Sequence, residues 1–561
     1  MKKRGFRFGA IGLAAFLLLL AACTEETRPA EDGIVVPPES EFFATVAVEP
    51  ASTYPTFSDG DLWPAAWSDD DALYAANGDG AGFDFGAEFA DIVVNRITGS
   101  PWDGSLDGER LAAGDAVGRV WSDPARYNRK PTGIVSVNGV LYLAVQDLNK
   151  DEASGDIFNE APAATIYKST DKGRTWTAGP DAPMFRDHAF TTIMFLDYGR
   201  DGADNRFDDY VYAYGLDNNW RDSFNGKVED PTRLYLARMP KDGVQDAKTW
   251  QYYSGDLNGK AKWTKPGDLA GRRPVLRDDR RVYADRLTEG LGDMSVLSQG
   301  SIVYNRPLNR YLYTSWTEFT FEFYEAPKPW GPWKRFYSAD FGEYPWTSDH
   351  NGGYATVIPS KFISADGREM WMNANTFVGG AKNYDFSLRK LKVTPYRKTK
   401  PANGKSDANL ALPAYDPDVA PCARTMGNGG AALLNDGDNG ASVDSRNGER
   451  KTEDWWGYVW PRAYRMNKVA FTNGDTSPSG GWFDDLRVQV RQSFRWVDVS
   501  GAAISPAYPA SEQAGGRTYT IAFDEIAGDG IRIVGKPGGP DAYTSVAELE
   551  VYYADSGSED K

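Results

Sequence analysis

The stretch GIVSVNGVLYLAV, residues 133–145, consists of two alternating apolar runs joined by Asn138-Gly139. Asn-Gly readily supplies the two positive-φ residues of a tight hairpin turn, so the stretch predicts an antiparallel strand pair. The pattern recurs in DDYVYAYGL (208–216), SIVYNRPLNRYLYTSW (301–316) and TVIPSKFISADGREMWM (356–372). Such strand pairs form about five clusters, at 57–90, 130–178, 189–255, 293–337 and 350–395. They predict a five-bladed β-propeller over residues 42–394, because radial closure protects sheet edges.

A second domain is predicted after this region. Residues 395–409 are polar and basic and contain two prolines, which is typical of a linker. From 410 to 554 the chain again shows short alternating strands, such as KVAFTN (468–473) and AELEVYY (547–553). This pattern predicts a β-sandwich of the jelly-roll type, so the whole chain is expected to be all-β.

Composition excludes several classes of function. The chain has 561 residues and a net charge of −17, and it contains 75 aromatic residues but only two histidines and two cysteines. So acidic a chain would repel phosphate backbones, which argues against nucleic-acid binding. Two cysteines rule out a disulfide framework, and two histidines cannot build a His-rich metal centre. No catalytic cofactor is therefore predicted.

The N-terminus, MKKRGFRFGAIGLAAFLLLLAAC, has four basic residues before an apolar run and predicts a signal peptide over residues 1–22. Its end, Leu20-Ala21-Ala22-Cys23, resembles the bacterial lipobox, which implies a lipid anchor on Cys23. Residues 23–41 would form a spacer, and Thr24 after the cysteine suggests the outer membrane. Removal of the signal would change the net charge from −17 to −21. Cys422 is then expected to be a packing residue.

STDKGRTW, residues 169–176, resembles the Asp box of sialidases and other propellers. Asp171 can accept backbone N–H groups, Gly173 can adopt positive φ, and Trp176 can pack under the turn. The motif is therefore predicted to be structural. A sialidase is disfavoured because the chain shows no recognisable set of arginines for a sialate carboxylate.

Two further resemblances to known families imply functions for the two domains. The order GDGIRIVG (528–535), then PGGPDAYTSVAELEVYY (537–553), resembles discoidin or factor 5/8 type C domains, many of which bind carbohydrate. SDGDLWPAAWSDDDALYAANGDGAGF (58–83), HAFTTIMFLDYG (188–199) and YEAPKPWGPW (324–333) resemble a family of bacterial propellers classed as a domain of unknown function. Some of its members are endo-D-arabinanases, which implies glycoside hydrolysis.

Glycoside hydrolysis requires a pair of carboxyl groups. Asp61 lies on the predicted innermost strand of the first cluster, where its position resembles that of the base of five-bladed arabinanases and fructosidases. Asp79, in an Asn-Gly-Asp-Gly turn, is a second candidate, with turn formation as its alternative role. Asp217 and Glu318 lie at strand ends, where an adjacent indole would raise the pKa of a general acid; alternatively, they are solvated or ion-paired.

The predicted sugar-binding residues are aromatic side chains and histidines. Tryptophan faces stack on sugars, and the two histidines could bind hydroxyl groups or be structural. Consecutive tryptophans on a strand point in opposite directions, so at least one of Trp455 and Trp456 should belong to the core. The candidates are Trp63, His188, Trp220, Trp316, His350, Trp455, Trp456 and Trp482.

Two acidic segments could hold a structural Ca²⁺, although a solvated loop is the favoured interpretation. They are DYGRDGADNRFDD (197–209) and NDGDNG (435–440). The leading hypothesis is a surface-anchored glycoside hydrolase for an extracellular, arabinan-like polysaccharide, with Asp61 as base or nucleophile and an appended carbohydrate-binding module. The alternative is a non-catalytic glycan-binding or adhesion lipoprotein.

Overall fold

The computed structural model describes residues 33–49, 52–151, 156–218, 228–282, 294–317, 320–340, 352–376, 384–403, 408–425, 427–448, 450–509, 511 and 515–553. Val35–Lys561 forms one compact unit. The described residues are predominantly β-strand, in agreement with the predicted all-β class. Their helical segments are short 3-10 turns at Gly114–Ala116, Arg200–Gly202, Ala247–Thr249, Leu269–Gly271, Ser360–Phe362 and Ala431–Leu434.

After an initial strand, β1 (Phe43–Val48), the chain forms antiparallel meanders. The first meander contains β2 (Asp59–Asp61), β3 (Ala65–Trp67), β4 (Leu73–Gly82), β5 (Ala90–Thr98) and β6 (Asp107–Ala113). The second contains β7 (Tyr127–Val137), β8 (Val140–Asp151), β9 (Asp156–Ile157), β10 (Ala163–Ser169) and β11 (Thr177–Ala178). The third contains β12 (Thr192–Asp197), β13 (Tyr210–Leu216), β14 (Arg233–Pro240), β15 (Gln251–Leu257), β16 (Lys260–Trp263) and β17 (Pro274–Arg277).

A two-stranded pair, β18 (Arg281–Val282) and β19 (Met294–Ser295), precedes the fourth meander. That meander contains β20 (Ser301–Asn305), β21 (Arg310–Trp316), β22 (Thr320–Ala326) and β23 (Lys334–Asp340). The fifth contains β24 (Tyr354–Val357), β25 (Glu369–Asn375) and β26 (Leu388–Pro395). Its outer strand is β1, which pairs antiparallel with β26 and so joins the two ends of this region.

Polar contacts connect each meander to the next, and the fifth to the first. They are Ser136 to Ser68, Ile193 to Thr132, the parallel pairing of Leu196 with Ile302, Thr356 to Thr314, and Leu62 to Asn375. Five apolar clusters follow the same series, and each contains buried residues from two neighbouring meanders. We call β2, β7, β12, β20 and β24, the first strands of their meanders, the leading strands; the last four take part in these contacts, and Leu62 directly follows β2.

The two turns predicted from the sequence are formed. Asn138 and Gly139 have φ of 52° and 75°, and Val137 pairs with Val140 across them. In the second turn, Asp171 accepts hydrogen bonds from the backbone N–H and hydroxyl of Thr175. The Trp176 indole donates to the Gly173 carbonyl at 3.0 Å, so the motif is structural, as predicted.

The C-terminal region forms one curled sheet. Its strands are β27 (Ala420–Ala423), β28 (Val443–Asp444), β29 (Asp454–Asn473), β30 (Arg487–Gln492), β31 (Arg495–Asp498), β32 (Ala503–Ser505), β33 (Thr518–Gly535) and β34 (Ser545–Tyr552). The long strands β29 and β33 pair in two stretches separated by a register shift between Val459 and Tyr464. Their alternate side chains fill a single buried core that includes Trp456, Trp460 and Phe471.

Candidate functional site

Asp61 is the last residue of β2, the first leading strand. It pairs with Gly78 of β4, and its residue is only 8% exposed. The Tyr354 hydroxyl, from the start of the fifth leading strand, donates to Asp61 Oδ2 at 2.9 Å. A Cβ atom on Gly78 would lie 2.5 Å from Asp61 Oδ1, so glycine provides the space for this carboxyl group.

Asp79 follows Gly78 and lies beside Asp61. Its backbone has a φ of 35°, a conformation that non-glycine residues rarely adopt. Its carboxylate forms an ion pair with the Lys130 ammonium group, which comes from the second leading strand. The Lys130 side chain is 3% exposed and the Asp79 side chain 25% exposed, so Asp79 is the part of this pair that faces solvent.

The two carboxyl groups influence each other electrostatically. Burial is the main cause that raises the pKa of Asp61 to about 6, and the negative charge of Asp79 adds to the effect. The Lys130 ammonium group and the Tyr354 hydroxyl act in the opposite direction. Asp61 can therefore carry a proton in mildly acidic solution, while Lys130 provides a counter-charge for the carboxylate of Asp79. The sequence identified both aspartates but neither Lys130 nor Tyr354.

Two of the predicted sugar-stacking residues in this region lie in the core. Trp63 and Trp316 have no exposed surface, because Trp63 packs against Phe386 and Trp316 against Tyr354. Their indole N–H groups donate to backbone carbonyls of Gly60 and Gln299. Neither indole can stack on a sugar in this conformation, so both predictions are corrected.

Asp217 is held in an ion pair. Arg272 donates to both of its carboxylate oxygens at 3.0 and 2.8 Å, and the Phe190 backbone N–H donates at 2.9 Å. Both carboxylate oxygens thus accept hydrogen bonds from protein donors, which argues against the predicted general-acid role. The alternative of an ion-paired carboxylate holds, with Arg272 as the partner.

His188 lines a pocket of about 310 Å³ together with Asp187, Asp217 and Arg272. Its Nε2 atom lies 3.1 Å from Glu160 Oε2, and the Tyr127 hydroxyl donates to the other oxygen of that carboxylate at 2.5 Å. Asp187 and His188 have φ of 54° and 64°. The imidazole is thus oriented by a buried glutamate that the sequence did not point to.

Three predicted site residues lie outside the described residues. They are Glu318, Trp220 and His350. Cys23 also lies outside them. Cys422 is free, and burial raises the pKa of its thiol to about 12, which fits the expected packing role rather than a nucleophile.

The acidic loop after β12 is stabilised by protein donors. Asp197 accepts hydrogen bonds from the backbone N–H and hydroxyl of Ser360, and Asp204 pairs with Arg306. Asp208 accepts from the Tyr212 hydroxyl at 2.7 Å. Among the residues that the structure describes, no group of three or more His, Cys, Asp or Glu side chains is arranged to hold a metal ion, including at 435–440.

The tryptophans of the C-terminal region divide between core and surface. Trp456 is fully buried, and its indole donates to Thr544 Oγ1 at 2.8 Å. Trp482 is nearly buried and donates to Asp484, so neither residue offers a free stacking face. Trp455 is half-buried and lines a cleft of about 530 Å³ with Trp496, whose ring centroid lies 6.4 Å away. The Arg532 guanidinium lies over the Trp455 ring, 5.1 Å from its centroid, and sugar stacking by Trp455 stays a prediction.

The adjacent tryptophans should differ sharply in their effect on stability. Trp456→Ala should lower the free energy of unfolding by about 3–5 kcal/mol, because it leaves a large cavity in the core. Trp455→Ala should lower it by less than about 1 kcal/mol, since its side chain is partly exposed. Denaturant unfolding of both variants measures this difference. Equal losses of unfolding free energy would contradict the assignment of Trp456 to the core and Trp455 to the surface.

Comparison with known proteins gives one family match. Residues 93–345, less than half of the chain, match the family described as domain of unknown function DUF4185. This match agrees with the resemblance expected from the sequence. Comparison of the sequence with curated proteins finds no match. Within the described ranges, no helix has both the length and the apolar character needed to cross a membrane.

Similar solved structures include one that covers more than half of the chain and two that cover about a quarter of it. A "putative hydrolase" from Bacteroides ovatus is 12% identical, with a TM-score of 0.37, over 61% of this chain and 87% of its own. The module CpGH89CBM32-5 from Clostridium perfringens, in complex with GalNAc-β-1,3-galactose, is 15% identical, with a TM-score of 0.21, over 26% of this chain and 100% of its own. A family 32 carbohydrate-binding module from C. perfringens NanJ, in complex with galactose, is 20% identical, with a TM-score of 0.20. It matches 24% of this chain and 95% of its own.

Proposed function

We propose that the protein is a glycoside hydrolase that acts on an extracellular polysaccharide, with Asp61 and Asp79 as its catalytic carboxyl groups. The observation that carries the proposal is the pairing of a buried carboxyl whose pKa is raised to about 6 with a partly exposed carboxylate held by Lys130. Hydrolysis of a glycosidic bond requires one protonated and one charged carboxyl group.

In this proposal the five meanders are the blades of a β-propeller. Two observations support that arrangement: the contacts that join each meander to the next and the fifth to the first, and the five apolar clusters that lie between neighbours. Asp61 ends the three-residue strand β2, Lys130 lies in the first half of β7, and Tyr354 begins β24. The hydrogen bond from Tyr354 to Asp61 and the ion pair of Lys130 with Asp79 bring three leading strands together at one site, which in a propeller would lie at the axis.

The proposed reaction assigns the two roles by environment. Asp61 donates its proton to the leaving oxygen as the bond between that oxygen and the anomeric carbon breaks. The Asp79 carboxylate removes a proton from a water molecule, whose oxygen bonds to the anomeric carbon. Solvent then returns a proton to Asp61 and removes one from Asp79. The raised pKa makes Asp61 the acid, so the role of base that the sequence suggested for Asp61 passes to Asp79.

The pH dependence of the reaction tests this assignment. Because Asp61 must be protonated and its pKa is raised to about 6, kcat/KM should fall about tenfold for each unit of pH above 6. Reducing-end release from arabinan, measured between pH 4 and 8, gives the profile. A rate that instead declines as the pH falls below 6 would show that Asp61 acts as the base.

We propose that the C-terminal region is a β-sandwich that binds carbohydrate. Trp455 and Trp496 support this role, because they line one cleft and aromatic faces stack on sugar rings. Tethering such a module to the catalytic region would raise the local concentration of substrate. We also propose that a lipid on Cys23 anchors the protein at the outer membrane, on the basis of its Leu-Ala-Ala-Cys sequence.

A non-catalytic glycan-binding lipoprotein is the alternative to this function. It predicts that the protein binds polysaccharide without releasing reducing ends. Incubation of the protein with plant, algal and mycobacterial polysaccharides, followed by reducing-sugar assay, distinguishes the two. Release from at least one polysaccharide supports hydrolysis, whereas binding without release from any supports the alternative.

A further inference from the structure

Two phenylalanines, one before β2 and one after β4, are exposed to solvent. Phe57 is 78% exposed and Phe85 is 51% exposed, and their ring centroids lie 4.2 Å apart. Phe89, in the same loop as Phe85, is 69% exposed. Burial of an aromatic side chain is normally favourable, so a cluster of exposed rings indicates a binding surface. We call Phe57 and Phe85 the aromatic platform.

The platform lies at the same end of the first meander as the carboxyl pair. Phe57 precedes β2, and Phe85 lies in the loop that follows β4. The pairing of Asp59 with Gly82 brings these two segments together. Phe57 is four residues from Asp61, a distance of about 13 Å along an extended strand. The platform and the catalytic pair could therefore contact different sugar units of one chain.

A groove extends from the platform. It has a volume of about 400 Å³ and is lined by Tyr54, Pro55, Phe57, Phe83 and Asp107. It offers ring faces together with hydroxyl and carboxylate groups, which suits a ligand with apolar C–H faces and many hydroxyls.

The charge around the groove selects the class of glycan. Asp84, Glu88 and Asp107 are exposed near the platform. The nearby Arg110 guanidinium donates to the carbonyl oxygens of Ala81 and Glu88. An excess of negative charge repels uronate-rich or sulfated chains, whereas it does not oppose a neutral polysaccharide.

We infer that Phe57 and Phe85 form a stacking subsite for a neutral polysaccharide whose chain continues to Asp61 and Asp79. This inference rests on the proposed function for the position of the cleaved bond. Continuity along β2 with the carboxyl pair is the reason to assign the polysaccharide, rather than another ligand, as the occupant.

Affinity electrophoresis with arabinan, galactan, xylan and glucomannan tests the subsite. We expect at least one of these to retard the wild-type protein, and F57A/F85A to bind it at least about tenfold more weakly, since each aromatic contact contributes of order 1 kcal/mol. F207A is the matched control, because Phe207 is 50% exposed but follows β12, at the opposite end of a leading strand. F207A should bind as the wild type does. Polygalacturonate should retard neither the wild type nor either variant.

Thermal unfolding and chain length separate binding from folding. The double variant should keep the melting temperature of the wild type, and its KM should rise for long chains but not for oligosaccharides too short to reach the platform. Unchanged retardation of F57A/F85A, or failure of all four neutral polysaccharides to retard the wild type, would overturn the inference. Platform-dependent retardation without any hydrolysis would refute the proposed function while leaving the subsite intact.

Discussion

Asp79→Asn is expected to reduce kcat/KM for polysaccharide hydrolysis by at least about 1000-fold, and Asp61→Asn by a similar factor. Loss of a general base or acid removes about two to four orders of magnitude, and the two groups act in the same step. The affinity for polysaccharide should change little, because binding depends largely on other side chains. Initial rates of reducing-end release and affinity electrophoresis measure the two quantities on the same preparations.

A matched control is Asp209→Asn. Asp209 has a side chain that is 88% exposed and pairs with Lys241 in the loop after β12. Because this substitution removes the same charge away from the carboxyl pair, kcat/KM should stay within about twofold of the wild type. If Asp61→Asn and Asp79→Asn turn over as fast as Asp209→Asn, neither aspartate is catalytic.

Lys130→Met is expected to have the second largest effect. It removes the buried cation of an ion pair and leaves the partly exposed Asp79 without a counter-charge, which should cost about 2 kcal/mol of stability, less than for a fully buried pair. Because Lys130 lowers the pKa of Asp61, its loss should move the decline of kcat/KM from about pH 6 to higher pH. Turnover at pH 5 should fall about 100-fold, since the charge of Asp79 is no longer stabilised.

Lys172→Met is the control for Lys130→Met, because it removes an ion-paired lysine at a different place in the fold. Lys172 also pairs with an aspartate, Asp69, but both side chains are more exposed than those of Lys130 and Asp79. It should change stability by less than about 1 kcal/mol and leave the pH profile unchanged. A Lys130→Met enzyme that is destabilised but keeps the wild-type pH profile would show that Lys130 has only a structural role.

Local features of the fold could be predicted from the sequence. The turn at Asn138-Gly139 depends on two adjacent residues that adopt positive φ, and the pattern specified it. The pairing of β1 with β26 could not be predicted in this way, because it joins segments more than 300 residues apart. No local pattern encodes the partner of an edge strand.

In the candidate site, too, residues close together in the sequence could be predicted, whereas their partners from distant segments could not. Asp61 and Asp79 are close in sequence and were both identified, but Lys130 and Tyr354 reach them from other meanders. A lysine in a run of buried strand residues does signal a nearby anion, which is the one clue that could have indicated Lys130. Trp316 was misassigned because alternation along a strand separates two faces without showing which face is buried. Trp63 was misassigned because it lies in the connection between β2 and β3, with a φ of 51°, where no strand alternation applies.

Mass spectrometry of the products of polysaccharide cleavage tests the central claim most directly. The products are compared for the wild type and for Asp79→Asn. We predict that the wild type releases fragments whose masses correspond to the addition of one water molecule for each cleaved bond, and that Asp79→Asn releases almost none. Fragments that lack the added water, products formed equally by both proteins, or no cleavage of any polysaccharide would contradict the assignment of Asp61 and Asp79 as a hydrolytic pair.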